Sequence, residues 1–152
     1  MEASDWPEVE KIFAEGIATR AATFETAPPD YVSFDASHHA EHRLVAVEDD
    51  RVVGWVALAP TSSRACYAGV AENSVYVAES ARGRGVGRAL LEALIASARA
   101  GGIWTIQAGM FPENGASLAL HESLGFRLVG RFERIAQLDG VWRDTILLEL
   151  RL

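Results

Sequence analysis

Apolar positions along this chain switch between two periods, and the switches mark out its elements. Val9, Ile12, Phe13 and Ile17 recur at near-helical spacing behind Asp5-Trp6-Pro7-Glu8. That tetrad reads as a capping box, with Asp5 at the N-cap, Pro7 in the first turn and Glu8 reaching back, and it predicts a helix to about Ala18. Pro28-Pro29 interrupts the pattern, and a short helix is expected from Tyr31 to Glu41. Arg43 to Val47 and Arg51 to Ala59 read as strands around an Asp49-Asp50 turn, and Glu72 to Val77 as a third strand. The helical period returns from Gly87 to Ala100, with Leu90, Leu91, Leu94, Ile95 and Ala98 on the inward side and Gly101-Gly102 as the stop. Trp104 to Ala108 predicts a strand, and Ala116 to Leu124 a short helix closed by Gly125. Two last strands, Phe126 to Gln137 and Val141 to Leu150, flank the hairpin signal Asp139-Gly140. With no repeat, linker or low-complexity tract, one mixed α/β domain over residues 1–152 is expected.

Composition narrows the class. Of the 152 residues 49% are hydrophobic, and a domain of this size buries about 70% of its unfolded surface, enough for a core without staples. The single cysteine, Cys66, cannot make an internal disulfide, which fits a reducing compartment. The opening Met1-Glu2-Ala3-Ser4-Asp5 has the wrong chemistry for a secretion signal, and no run approaches the ~20 apolar residues that span a bilayer. A soluble, cytoplasmic protein is expected. The net charge of −7 excludes a general nucleic-acid or anionic-membrane binder, both of which need a basic face. Arg82, Arg84 and Arg88 nonetheless form a local basic island, suited to a compact polyanion.

That island lies in Arg82-Gly83-Arg84-Gly85-Val86-Gly87, between a predicted strand and a predicted helix. Glycines there let backbone N–H groups turn toward a phosphate, and the helix N-terminus adds about half a positive charge. The spacing is not the dinucleotide fingerprint G-x-G-x-x-G, and the Gly-Lys-Ser/Thr of a P-loop is absent. What stands here is R-x-x-G-x-G, as Arg82-x-x-Gly85-x-Gly87. Read by itself, the hexapeptide is either a phosphate cradle or a loop that merely turns the chain.

The arrangement resembles the GNAT superfamily of acyl-CoA N-acyltransferases, in which this motif follows a strand and opens a helix. The segment Asn114-Gly115-Ala116-Ser117 through Leu124-Gly125-Phe126 resembles the family's second loop, helix and Leu-Gly-Phe ending. A closer resemblance is to the phosphinothricin N-acetyltransferase subfamily. It rests on Ala22-Thr23-Phe24-Glu25-Thr26, on Arg64-x-x-Tyr67-x-x-x-x-Glu72-x-x-Val75-Tyr76-Val77 and on Gly140-x-Trp142-x-Asp144. Two departures stand out: the first strand of the family is almost missing before the first helix, and Arg143 occupies a position where better-known amino-acid acetylators have histidine.

The resemblance implies a GNAT fold, a central mixed and mostly antiparallel sheet flanked by helices, with acetyl-CoA as acetyl donor and no metal. It assigns the pyrophosphate to Arg82, Gly83, Arg84, Gly85, Val86, Gly87 and Arg88. Pantetheine falls to Val75, Tyr76, Val77, Asn114 and Ser117, the alternative for Asn114 and Ser117 being ordinary loop and N-cap hydrogen bonding. Glu72 takes the general-base position, where burial at a strand head would raise its pKa; the alternative is a carboxylate that caps the strand or pairs with arginine. His121 stands where many family members have a tyrosine acid, and reads either as the proton donor to the thiolate or as a packed histidine. Phe24, Glu25, Arg64, Tyr67 and Arg143 are the substrate-side candidates, with Arg64 either a partner for a substrate carboxylate or a surface charge. His38, His39 and His42 have helical spacing that could hold a metal, but no nearby Cys or inward carboxylate pattern supports one, and a solvated polar face is expected. Trp104, Phe111 and Trp142 read as core or interface aromatics.

The expected activity is acetyl transfer from acetyl-CoA to the primary amine of a small molecule, an amino acid or an analogue such as phosphinothricin or methionine sulfoximine. Polyamines, antibiotics and peptide N-termini are alternative acceptors, and a catalytically silent acyl-CoA-binding sensor or scaffold is the alternative of another class. The resemblance also implies a homodimer built with the C-terminal strands.

Overall fold

Two strands from the middle of the sequence run side by side for only three residues and then part, and the rest of the fold is arranged around that parting. The computed structural model describes residues 1–152. Its elements are α1 (Trp6–Ala18), α2 (Tyr31–Ser37), β1 (Arg43–Glu48), β2 (Arg51–Pro60), β3 (Val70–Val77), α3 (Val86–Ala100), β4 (Thr105–Met110), α4 (Gly115–Ser123), β5 (Arg127–Leu138) and β6 (Val141–Arg151). The six strands form one sheet in the order β1-β2-β3-β4-β6-β5. Every neighbouring pair is antiparallel except β3–β4, which is parallel and pairs only Val70–Thr105, Ala71–Ile106 and Glu72–Gln107. On its other side β3 stays paired with β2 as far as Val77. The backbone of residues 73–77 therefore has a strand neighbour on one side only.

Each face of the sheet carries its own core. Leu90, Leu91, Leu94 and Ala98 of α3 pack on Val56, Leu58, Ile106 and Leu148, and Val75 and Val77 of β3 join them. The opposite face packs α1 through Val9, Ile12, Phe13 and Ile17 against Trp55 and Phe34, with Tyr76 of β3 at the edge. Alternate residues of β3 thus face different layers, as the period of a strand requires. Truncating a fully buried leucine such as Leu94 to alanine would cost about 2–5 kcal/mol.

The elements lie where the hydrophobic pattern puts them, with three local corrections. Asp5 precedes α1, but its carboxylate accepts from Glu2 N at 2.7 Å, and Glu8 accepts from Val52 N at 2.8 Å. Glu8 ties α1 to β2 instead of closing a capping box. The second helix stops at Ser37 because the Ser37 hydroxyl and His38 Nδ1 both donate to Phe34 O, competing with the helical ladder. Its true start signal is Asp30, which accepts from Ser33 N at 2.7 Å. The histidines beyond it are not a solvated face. His38 stacks on Phe34 at 4.1 Å, and His42 is buried against Ser97 of α3, with Nδ1 2.8 Å from its hydroxyl. A short helical turn at Ala3–Asp5 leads into α1, and no strand precedes it. No helix is long and apolar enough to cross a membrane.

Candidate active site

The glycine loop opens onto a cleft of about 1040 Å³ that continues through the parting of β3 and β4 to the opposite face of the sheet. Gly83 (φ 73°) and Gly85 (φ 86°) adopt left-handed conformations, and a Cβ added to either would meet nothing within 4 Å. Gly85 is also the N-cap of α3, so the first N–H groups of that helix face open space. Arg82 and Arg88 line the cleft. Arg82 donates from Nε to Val77 O at 3.3 Å, and Arg88 is held by Glu92 and the Ser123 hydroxyl, both at 2.9 Å. Arg84 does not line the cleft: its guanidinium pairs with Glu48 at 2.9 Å, so only its backbone remains available to a phosphate.

Where the strands part, the even positions of β3 carry a different chemistry from the odd ones. Glu72 lines the cleft with an exposed side chain, not the buried carboxylate its place in a strand suggested. Its Oε1 lies 2.9 Å from where a Cβ of Gly109 on β4 would be, a space that glycine leaves free. Tyr76, on the same face, is stacked on Trp55 at 4.7 Å and packs against Phe13. Burial pushes its phenol up to about 12, opposed by a hydrogen bond from Thr23 and reinforced by the Glu25 carboxylate. Tyr76 therefore stays protonated and forms part of the cleft wall. Phe24 lines the cleft and meets Phe111 edge-on at 4.8 Å.

On the other face, Asn73 and His121 form a buried polar pair. Asn73 Nδ2 donates to Gln107 O at 2.9 Å, bridging the strands just beyond the last backbone pairing. Its Oδ1 lies 3.1 Å from His121 Nε2, and His121 Nδ1 lies 2.8 Å from Ser117 O and 3.4 Å from Ser117 Oγ. Burial lowers the His121 pKa, partly offset by the Ser117 carbonyl. The ring is neutral at pH 7, and Nε2 points at Asn73 instead of presenting a proton to the cleft. Asn114 is the N-cap of α4, its Oδ1 accepting from Ser117 N at 3.2 Å, and both residues line the cleft.

Four substrate-side candidates lie off the cleft wall. Glu25 is exposed, close enough to Tyr76 to influence its phenol. Arg64 is exposed and lies over the Tyr67 ring at 5.5 Å, on the loop between β2 and β3. Arg143 is occupied elsewhere. Its guanidinium covers the Phe111 ring at 4.2 Å, donates to Arg20 O at 3.3 Å and approaches Glu113 at 3.5 Å. With Arg20 paired to Asp139 at 3.2 Å, the segment after α1 is fastened to the β5–β6 hairpin. Of the three singled-out aromatics Phe111 is buried in the cleft wall, while Trp104 and Trp142 are largely exposed.

Sequence reasoning passed over Asn73 and Gly109. Asparagine is depleted in strands, so an Asn among apolar residues in a strand was an available signal. Gly109 offered none, because it lies beyond the three residues of β4 that pair with β3, and only the assembled sheet brings the Glu72 side chain to it. The motif residue Asp144 has a structural duty. It accepts from Arg134 N at 2.8 Å and Arg131 Nε at 2.7 Å, bonds that hold its carboxyl below the usual range and pin the bulge in β5.

A phosphate-ready loop, a strand parted from its parallel neighbour and a carboxylate at the parting define an acyl-CoA-dependent transferase site. Residues 6–126 match the profile of the Acetyltransferase (GNAT) family, and the chain belongs to that family. It is an acetyltransferase. The chain is 30% identical to the L-methionine sulfoximine/L-methionine sulfone acetyltransferase of Pseudomonas paraeruginosa, over 98% of this chain and 90% of that protein. It is 34% identical to the phosphinothricin N-acetyltransferase of Alcaligenes faecalis, over 95% and 77%. A GNAT superfamily phosphinothricin acetyltransferase from Sinorhizobium meliloti, solved in complex with acetyl-CoA, superposes with a TM-score of 0.90 at 28% identity, covering 100% of this chain and 85% of that one.

Proposed function

We propose that the protein transfers acetyl from acetyl-CoA to the primary amine of an amino acid or a close analogue, of the kind methionine sulfoximine and phosphinothricin represent. The observation that carries this reading is the continuity of one cleft from the glycine loop to Glu72 through the parting of β3 and β4. The residues fit the donor. A side chain at Gly83 or Gly85 would occupy the space a pyrophosphate needs, and the α3 N-terminus and two arginines face it. Asn114, Ser117 and the free edge of Val75, Tyr76 and Val77 suit the amide-bearing pantetheine arm. The acetyl thioester supplies the electrophile.

The amine arrives as ammonium and must lose a proton before it attacks. Glu72, unencumbered and in the cleft, takes that proton as general base. Phe24, Phe111 and Tyr76 bound the acceptor end, an apolar and aromatic wall with a phenol and the Thr23 hydroxyl as polar points. The exposed Leu128, Phe132, Ile135, Val141 and Trp142 of the β5–β6 hairpin support a homodimer formed by that hairpin. A cytoplasmic setting agrees with a single, unpaired Cys66.

Thiol release from acetyl-CoA, followed across a panel of amino acids, their sulfoximine and phosphinate analogues, polyamines and peptides, tests the proposal. Preferred turnover of the amino-acid group is expected. Binding of acetyl-CoA without turnover of any amine would favour a sensor module instead.

A further inference from the structure

The buried stripe of α1 runs through Val9, Ile12, Phe13, Gly16 and Ile17, and helical period asks for an apolar side chain at position 16. Glycine stands there instead, inside a helix, where it is a poorer former than any residue but proline. The backbone gives no reason for it, since Gly16 has none of the positive φ that sets Gly83 and Gly85 apart. Space gives the reason. A Cβ on Gly16 would lie 2.5 Å from both Cδ1 and Cε1 of Tyr76. The Tyr76 ring occupies the place of the missing side chain.

Two buried rings close off the alternatives. Trp55 stacks on Tyr76 with centroids 4.7 Å apart, and Phe13 stands at 4.8 Å. Ordinary contact between carbons needs about 3.5–4.0 Å, so a side chain at position 16 would displace the ring by about an ångström or more. The open side is the cleft, which Gly16 and Tyr76 both line.

We propose that Gly16 is the positioning residue that sets how large an acceptor the cleft admits. The inference rests on the acceptor end proposed above. Gly16 is buried and acts through Tyr76, whose ring it lets sink against α1 and so out of the acceptor's space. The donor is held elsewhere: Gly85 opens α3, which packs on the opposite face of the sheet from α1. Acceptor size and donor affinity should therefore respond separately to a change at position 16.

Three readouts test this. In protein labelled with 13C-tyrosine and free of ligand, the Tyr76 ring signals are identified by their loss in Tyr76→Leu. Stacking on Trp55 should shift them in the wild type, and Gly16→Ala should move them; signals unmoved by Gly16→Ala would overturn the collision. Next, kcat/KM is measured for the smallest and the largest amines that the wild type turns over in the acceptor panel. In Gly16→Ala the large-to-small ratio should fall by about 10- to 200-fold, the scale of one methylene in a pocket, mainly through KM of the large amine. Acetyl-CoA affinity by calorimetry should stay within about twofold, because no donor contact moves. Tyr76→Leu should shift the ratio the opposite way, and Gly16→Ala in that background should leave it nearly unchanged. An equal loss for small and large amines, or the full Gly16→Ala effect persisting with Tyr76→Leu, would overturn the proposal. So would an unaltered ratio in Tyr76→Leu alone, a result that holds whether or not Gly16→Ala folds. Release of thiol by no amine would overturn it together with the acetyltransfer reading, whereas acceptors other than amino acids would overturn that reading and leave the ratio to decide Gly16.

Discussion

The Glu72 carboxylate rests against the backbone of Gly109, with Oε1 2.9 Å from the point a Cβ would occupy. The proposed base is thus aimed by a missing side chain on the neighbouring strand. Gly109→Ala should push the carboxylate aside without disturbing the core, and displacement by about an ångström can cost on the order of 10²-fold in rate. Thiol-release kinetics should show that loss while calorimetric melting stays near wild type. Glu72→Gln should lose about 10²- to 10⁴-fold, and the deficit should shrink at high pH as the amine deprotonates unaided. Wild-type turnover in Glu72→Gln at neutral pH would remove it from the mechanism.

Gly85 makes a different demand. A valine there would have to hold φ 86° and would project into the space before the α3 N-terminus. Gly85→Val should weaken acetyl-CoA binding, read by titration calorimetry, more than it lowers folding stability. In the wild type, acetyl-CoA at about 100 times its dissociation constant should add ~2.7 kcal/mol of stability, with free CoA close behind and NAD far less. Equal shifts from NAD and acetyl-CoA would sink the donor assignment.

Arg143 is expected to act on loop order, not on substrate charge. Its guanidinium bonds to Arg20 O and covers Phe111, whose ring supports Phe24. Arg143→Ala should speed hydrogen exchange in residues 20–25 and raise KM for the amine. The ratio of kcat/KM between an acidic and a neutral amino acid should stay constant. A large change in that ratio would return Arg143 to the role of a substrate contact.

The contrast between Arg143 and Gly85 shows what a sequence can and cannot carry. The loop around Gly85 is local: glycines, arginines and the following helix are adjacent in the chain, so their joint geometry is readable from spacing. The strands and helices were readable for the same reason, from period. Arg143 owes its partners to residues 20, 111 and 113, brought together only by the assembled sheet. The pairing of Asn73 with His121 is likewise set by the docking of α4 beside β3, which no local pattern encodes. Arg84 shows the reverse error, a charge counted toward the loop that a residue from β1 withdraws.

Acid should destabilise the fold through its buried histidines. Burial is the leading cause that lowers the pKa of His38, His42 and His121 below the ordinary 6.5. Below 6.5 the unfolded chain takes up protons that the folded one refuses, so this stability is full above 6.5 and is lost as pH falls through the folded values. Urea unfolding at roughly pH 7.5 and 5.5 should show the decline, and His42→Gln should flatten it. An unchanged slope in His42→Gln would show that His42 carries none of it.

The alternation along β3 has a consequence for how such an enzyme can change. Glu72 and Tyr76 face the layer of α1, while Asn73, Val75 and Val77 face the layer of α3 and α4. On the function proposed above, acceptor and donor are thereby written on alternate letters of a single strand. A lineage could rewrite the acceptor letters, drifting from one amine to another, while the donor letters stay fixed and acetyl-CoA is held as before. Insertion of one residue into β3 would exchange the two scripts at once, so divergence here should proceed by substitution and spare the strand's length.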